Sequence, residues 1–442
     1  MEPYEWQKPL IDTVVRGVTD HRIFISGFPT GSGKTVIALA AAKVLGHPHL
    51  VVAPKVALTH WARIARSMGA EGQLIGIINP DRISAPNGCE FYTRDGLWRL
   101  PKGTVVIWDE PHRGASGPKS RLTRALAELK AFAYGLHAMS ATIADTPLKL
   151  RALGWWCGLH QFHDASFYQW CRQHECHYEA PGRSPVFAER RVLRFTKDAA
   201  KAHQCMEAIR RDLGPRFMSM RVEDIPGFPS ESLGVKLLDL SQRDRAEIDA
   251  AYEAMSHRMA SVARSDLAEL NRERERVEFV MAAALAELVA AHVENGQSVV
   301  VFFSFTEPRQ RFEDTLARDY GIVDLCRVYG GQKDEDRQSD IDAFQRNERR
   351  VASVMAKAGG ASLSLHDERH ERPRVAYVVP AYEADLIRQC LGRIRRCGGT
   401  HAVQFFALAA GTIQERVAVA LERKLNNIQA LNQQDLLPLM KG

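Results

Sequence analysis

The sequence predicts an α/β protein with two parallel sheets, each flanked by helices, and a helical insertion between them. Three observations carry this. Short apolar runs alternate with helix-period segments in both halves of the chain; a glycine-rich loop joins one such run to the helix after it; and residues 241–293 contain essentially no Gly or Pro. Short apolar strands separated by helices imply parallel strands buried on both faces.

Taken in order, Arg22-Ile23-Phe24-Ile25-Ser26 reads as a buried strand. After the glycine-rich turn, Val36, Ile37, Ala40, Ala41, Val44 and Leu45 recur at helical spacing. Leu50-Val51-Val52-Ala53 is a second strand, stopped by Pro54, and Val105-Val106-Ile107-Trp108 is a third. Pro226, Gly227 and Pro229 mark an irregular connection. Residues 241–293 read as a pair of long helices, the second burying Val277, Val280, Met281, Ala284, Leu285, Leu288 and Val289 on one face. Asn295-Gly296 is a turn signal, after which Ser298–Phe303 restarts the strand pattern. The expected divisions are 1–165 for the first α/β lobe, 166–270 for an inter-lobe segment with the helical insertion, and 271–442 for the second lobe.

Composition narrows the class. The chain has 442 residues, 45% hydrophobic and 25% charged, with 59 Lys plus Arg against 53 Asp plus Glu, a formal net charge of +6. That excludes a disordered, collagenous or disulfide-stapled chain, and allows a nucleic-acid partner without requiring one. Eight scattered cysteines do not form a disulfide framework. The N-terminus shows no signal-peptide pattern, and the longest apolar run, Phe279–Ala286, is far short of a membrane span. A reduced, cytoplasmic protein is expected.

The strongest chemical signal is Thr30-Gly31-Ser32-Gly33-Lys34-Thr35, between a strand and a helix. In such a phosphate loop the glycines let backbone N–H groups close around phosphates. Lys34 reaches the β/γ oxygens, the Thr35 hydroxyl ligates Mg²⁺, and the helix N-terminus adds its positive dipole. One position departs from the strict pattern: Phe28 stands where Gly or Ala is usual. Asp109-Glu110 directly follows the strand Val105–Trp108, where a Mg²⁺-holding Asp and a water-polarising Glu belong.

Together these residues resemble the superfamily 2 helicases and translocases. Thr30–Thr35 resembles motif I and Asp109-Glu110-Pro111-His112 motif II; Ser140-Ala141-Thr142 resembles motif III, and Gln389-Cys390-Leu391-Gly392-Arg393-Ile394-Arg395-Arg396 motif VI. Within that superfamily the pattern is most similar to the Swi/Snf-type double-stranded DNA translocases. Val51–Lys55 followed by Trp61 resembles their motif Ia, and His112-Arg113 with Lys119-Ser120-Arg121 the stretch after motif II. Thr146-Pro147-Leu148 and Leu153 resemble the segment after motif III, Arg221 with Asp224-Ile225-Pro226 the inter-lobe segment, Ala358-Gly359-Gly360 motif V, and Gly411–Glu415 the closing helix.

The resemblance implies two tandem RecA-like lobes with ATP and Mg²⁺ bound between them. Lobe one would supply Lys34, Thr35, Asp109 and Glu110; lobe two would supply Arg393 and Arg396 as arginine fingers. Ser140 and Thr142 would couple ATP state to the nucleic-acid track, which Lys55, Gly359, Gly360 and Gln389 would help to hold. Gln7 is either an adenine reader or a polar residue at a helix start. The Cys/His-dense stretch Cys157, His160, His163, Cys171, His174, Cys176 and His177 reads as core packing rather than a zinc site. The arginines of 241–276 either track a duplex or form a solvated face.

The expected function is ATP-driven movement along duplex DNA by a monomeric motor, in bacterial or viral replication, repair or recombination. Because the motifs span nearly the whole chain, no targeting module and no nucleosome remodelling are expected. A strand-separating DNA or RNA helicase, and a slowly hydrolysing DNA-binding switch, are the competing readings.

Overall fold

The structure, a computed structural model, describes residues 2–111, 120–141, 143–179, 192–260, 266–359, 363–379, 384–415 and 419. They form two compact units, the first holding residues up to Tyr178 and Leu193–Pro226, the second beginning at Gly227.

In the first unit, α1 (Lys8–His21) leads into β1 (Ile23–Gly27), α2 (Lys34–Leu45) and β2 (His49–Val52). Then come α3 (Leu58–Ser67), β3 (Leu74–Ile78), β4 (Val105–Asp109), α4 (Arg121–Phe132) and β5 (Gly135–Met139). Helices α5 (Arg151–Trp156), α6 (Asp164–Gln173) and α7 (Ala199–Leu213) precede the edge strand β6 (Phe217–Ser219). The strands form one parallel sheet in the order β6-β1-β5-β4-β2-β3.

Side-chain alternation divides the core into two layers. Ile23, Ile25, Val106, Trp108, Leu136 and Ala138 pack with α4 to α7 on one face. Phe24, Val51, Val105, Ile107 and Met139 pack with α1, α2 and α3 on the other. Both faces are covered, which is why β1, β4 and β5 are buried along their whole length.

The second unit opens with β7 (Glu231–Leu238), followed by α8 (Gln242–Ala260) and α9 (Asp266–Glu294). Beyond these are β8 (Ser298–Phe303), α10 (Thr306–Tyr320), β9 (Leu325–Val328), α11 (Asp334–Gln345) and β10 (Val351–Met355). The last described elements are β11 (Arg374–Val378), α12 (Ala384–Leu391) and β12 (Ala402–Ala409). This sheet is also parallel, ordered β7-β12-β11-β8-β10-β9. Of the predicted α9 stripe, Val277, Val280, Met281, Leu285 and Val289 are buried, while Ala284 and Leu288 are half-buried.

The 166–270 stretch is divided between the units at Pro226. Strand β6 pairs with β1 of the first sheet, and β7 pairs with β12 of the second. Among the described residues no helix is long and apolar enough to cross a membrane.

Candidate nucleotide site

Strands β1, β5 and β4 are neighbours and run in the same direction, so their carboxyl ends lie in a row. Met139, the last residue of β5, pairs with Ser26 on one side and Asp109 on the other. Three chemically pointed segments therefore leave one edge of the sheet together: the 28–33 loop, Asp109-Glu110, and Ser140. In open parallel sheets this edge is where ligands bind.

The 28–33 loop is built to leave backbone exposed at the head of α2. Gly33 is the N-cap, with φ +75°, and contributes no side-chain cap. A Cβ there would lie 2.5 Å from Gln7 Nε2. Phe28, the departure from the usual pattern, is fully buried among Leu10, Val14, Ile37 and Trp61. Burying such a ring contributes about 1.5–3 kcal/mol. Its carbonyl and that of Pro29 each accept a hydrogen bond from Lys34 Nζ at 3.0 Å.

Gln7 is buried beside this loop. Its Nε2 donates to the Ser32 carbonyl at 3.0 Å, and its Oε1 accepts from the Tyr4 N–H at 3.0 Å. The side chain thus ties the N-terminal turn to the phosphate loop.

Asp109 and Glu110 are each 8% exposed. Alternation along β4 puts Asp109 on the same face as Val105 and Ile107, the face that packs against α2. Trp61 Nε1, from α3, donates to its Oδ2 at 3.2 Å. Glu110 has φ +54°, a left-handed conformation that costs a non-glycine residue roughly 1–2 kcal/mol. Its N–H donates to the Met139 carbonyl at 2.8 Å, and Ser140 Oγ donates to Glu110 Oε2 at 2.5 Å. Beneath this edge Ser26 Oγ and His137 Nε2 are 2.7 Å apart, joining β1 to β5. Burial pushes the His137 pKa down to about 3, so the imidazole is neutral.

These residues fit a nucleoside triphosphate with Mg²⁺. The glycine-capped head of α2 can cradle an anion. The Thr35 hydroxyl and the Asp109 carboxylate are hard oxygen donors of the kind Mg²⁺ takes.

The second unit carries a separate group. Arg393 and Arg396 follow α12, which bears Gln389. Arg393 Nη1 and Arg396 Nη2 donate to one acceptor, the Leu363 carbonyl, at 3.4 and 2.5 Å, and the Leu365 N–H donates back to the Arg393 carbonyl at 2.9 Å. Burial, then the neighbouring Arg393 guanidinium, hold the Arg396 pKa below its ordinary value. Arg395 is used otherwise: its Nε donates to the Pro229 carbonyl and its guanidinium pairs with Glu231.

No family model matches the chain. Two curated proteins are similar to it. One, L364 of Acanthamoeba polyphaga mimivirus, is named for an inferred ATP-dependent RNA helicase activity; it is 24% identical, over 98% of this chain and 84% of its own length. The other, YwqA of Bacillus subtilis (strain 168), is named for an inferred ATP-dependent helicase or translocase; it is 22% identical, over 91% of this chain. The chain spans 45% of YwqA. Among solved structures, Saccharomyces cerevisiae Dbp5 bound to RNA and ADP BeF3 shares the fold, with TM-score 0.50 and 11% identity over 94% of this chain and 87% of that one. The Sulfolobus solfataricus SWI2/SNF2 ATPase core in complex with dsDNA covers 97% of this chain and 94% of that one, with TM-score 0.37 and 14% identity.

The chain resembles ATP-dependent helicases and translocases over nearly its whole length, and is an ATP-hydrolysing enzyme. Its two parallel sheets, each flanked by helices, are tandem RecA-like lobes.

Other residues expected to matter in this ATPase fall in different places. Lys55 is exposed in the turn between β2 and α3, and Gly359 closes a short helix after β10. Thr142, Gly360, His112, Arg113 and Lys119 lie outside the described residues. Ser120 caps α4, accepting the Thr123 N–H at 3.0 Å, and Arg121 lies over the Tyr92 ring.

In the Cys/His stretch, Cys157, Cys171 and Cys176 are buried, and the His160 ring packs between Phe167 and Trp170. His163 caps α6 by accepting the Ser166 N–H. Among the described residues no group of three or more His, Cys, Asp or Glu is arranged to hold a metal. In the sequence, Trp61 stands out only through the motif Ia resemblance; its hydrogen bond to Asp109 links residues 48 positions apart. The buried Ser26–His137 pair carried no sequence signal, because each residue reads as an ordinary strand position.

Proposed function

We propose that this ATPase couples hydrolysis to movement along duplex DNA. The observation that carries the reading is the row of Lys34, Ser140 and Asp109-Glu110 segments at adjacent strand ends of the first lobe, in a chain whose second lobe bears the motif VI arginines. Lys34 binds the phosphates and Gln7 steadies the loop around them. Mg²⁺ held by Thr35 and Asp109 would neutralise charge on the β- and γ-phosphoryl oxygens. Glu110, its carboxylate oriented by Ser140, accepts a proton from the attacking water. Arg393 and Arg396 complete the transition-state charge, a role worth about 10³–10⁵ in rate for such a finger.

The Swi/Snf-like stretches favour duplex DNA as the track: Val51–Lys55 with Trp61, and Arg221 with Asp224-Ile225-Pro226. Lys55, Gly359, Gly360 and Gln389 contact it through the backbone phosphates, so affinity carries little sequence preference. DNA replication, repair or recombination in the cytoplasm of a bacterial or phage-infected bacterial cell suits a motor of this kind. One observation favours a second reading, an RNA helicase: the mimivirus relative is named for that activity.

The test is steady-state ATP hydrolysis without nucleic acid and with single-stranded DNA, duplex DNA or RNA, with Lys34→Ala as the blank. Stimulation by duplex DNA above the other three supports the translocase. Stimulation mainly by RNA or single strands overturns it in favour of a helicase, and a rate at the blank throughout sinks both.

A further inference from the structure

Trp61 occupies the fourth position of α3 and is fully buried, its ring packed among Val51, Ala53, Ala57 and Ile107. Indole has one hydrogen-bonding group, an N–H that can only donate. Here that group is spent on Asp109 Oδ2, at 3.2 Å. A bond from a neutral donor to a carboxylate is among the stronger kinds, and inside a packed core its direction is fixed by the ring. Core packing alone asks only for apolar ring area and does not require a partner for the N–H.

Helix α3 packs against α2 and β3, and begins three residues after the exposed Lys55. We propose that Trp61 is a positioning residue, which orients the Asp109 carboxylate toward Mg²⁺ and ties that orientation to α3. The inference rests on the nucleotide-site reading above and deepens it. Groups that orient a metal's carboxylate ligands typically matter by 10–100-fold in metal affinity.

The test uses Trp61→Phe in the full chain, with equilibrium binding of a fluorescent mant-ADP measured at graded Mg²⁺ and in EDTA. The expected result is a Mg²⁺ requirement raised roughly tenfold with EDTA-state affinity close to wild type, while the smaller ring lowers the melting temperature in either case. A purely packing role would lower the melting temperature and leave the Mg²⁺ dependence unmoved. Trp61→Ala supplies that comparison, since the cavity costs stability whatever the N–H does. Wild-type Mg²⁺ dependence in Trp61→Phe, while Lys34→Ala still weakens nucleotide binding, overturns the positioning role alone. Nucleotide binding indifferent to Lys34→Ala overturns the site reading and this inference with it.

Discussion

Ser140 and Glu110 are joined by a hydrogen bond of 2.5 Å from hydroxyl to carboxylate, between residues that follow neighbouring strands β5 and β4. The bond holds a glutamate whose backbone is already in the left-handed region, so both backbone and side chain of Glu110 are constrained. With Glu110 as the base, Ser140→Ala should lower kcat roughly tenfold and leave the ATP KM within about twofold, since the lost bond acts on catalysis rather than on phosphate binding. Steady-state kinetics at saturating and limiting ATP separate the two parameters.

Gln7 and Gly33 should show strong coupling. Gly33→Ala introduces a Cβ 2.5 Å from Gln7 Nε2 at φ +75°. The backbone cost alone is about 1–2 kcal/mol. Gln7→Ala leaves the Ser32 carbonyl without that donor, worth about 1 kcal/mol. In the double variant the clash is gone, so its loss should be smaller than the sum of the single losses. Urea unfolding of the four proteins measures the difference.

Acid stability should depend on His137. Its folded pKa, about 3, lies below the ordinary value of 6.5 because it is buried. Stability from keeping it neutral is therefore full above pH 6.5 and is lost as pH falls toward 3, when the unfolded chain takes up the proton. His137→Asn should lower the melting temperature at pH 7, because the packed ring is lost, and also shrink the drop between pH 7 and pH 5. His49, His160 and His366, whose pKa values burial also lowers, keep part of the slope in the variant.

The alkaline side should report on Glu278. Its Oε1 accepts the N–H groups of Ser304 and Phe305 at 2.7 and 3.3 Å, pinning α9 to the turn before α10. Burial raises its pKa from 4.5 to about 8, against the opposing pull of those N–H groups and of Arg274. A raised carboxyl pKa gives stability that is full below 4.5 and lost as pH rises through 8. Glu278→Gln keeps an acceptor for the N–H groups and cannot ionise. Its melting temperature should exceed wild type at pH 9 and approach it at pH 5, by differential scanning calorimetry.

Much of the fold was legible because its strands are uniformly apolar and its helices periodic. Ile23–Gly27, His49–Val52 and Val105–Asp109 each lie within a residue of the runs that predicted them. The assignment of 166–270 was harder, since β6 has only three residues and β7 is largely half-exposed, leaving no apolar run to reveal that each joins a different sheet. Phe28 was legible as a departure but not as a core residue. The loop pattern describes backbone freedom, whereas the ring's burial depends on α1 and α2 closing over it.

The sequence by itself determined that this chain handles nucleotide phosphates, because a phosphate loop is a local device: glycines, a lysine and a helix start within six residues define its backbone. It also determined the carboxylate pair, which needs only a strand end. The tertiary structure decided which strand ends are neighbours. Only the order β1-β5-β4 brings Ser140 to Glu110, and only the packing of α3 against α2 and β3 brings the Trp61 N–H to Asp109. Those partnerships join residues 30 and 48 positions apart, and are set by sheet order and helix packing, which no local spacing encodes.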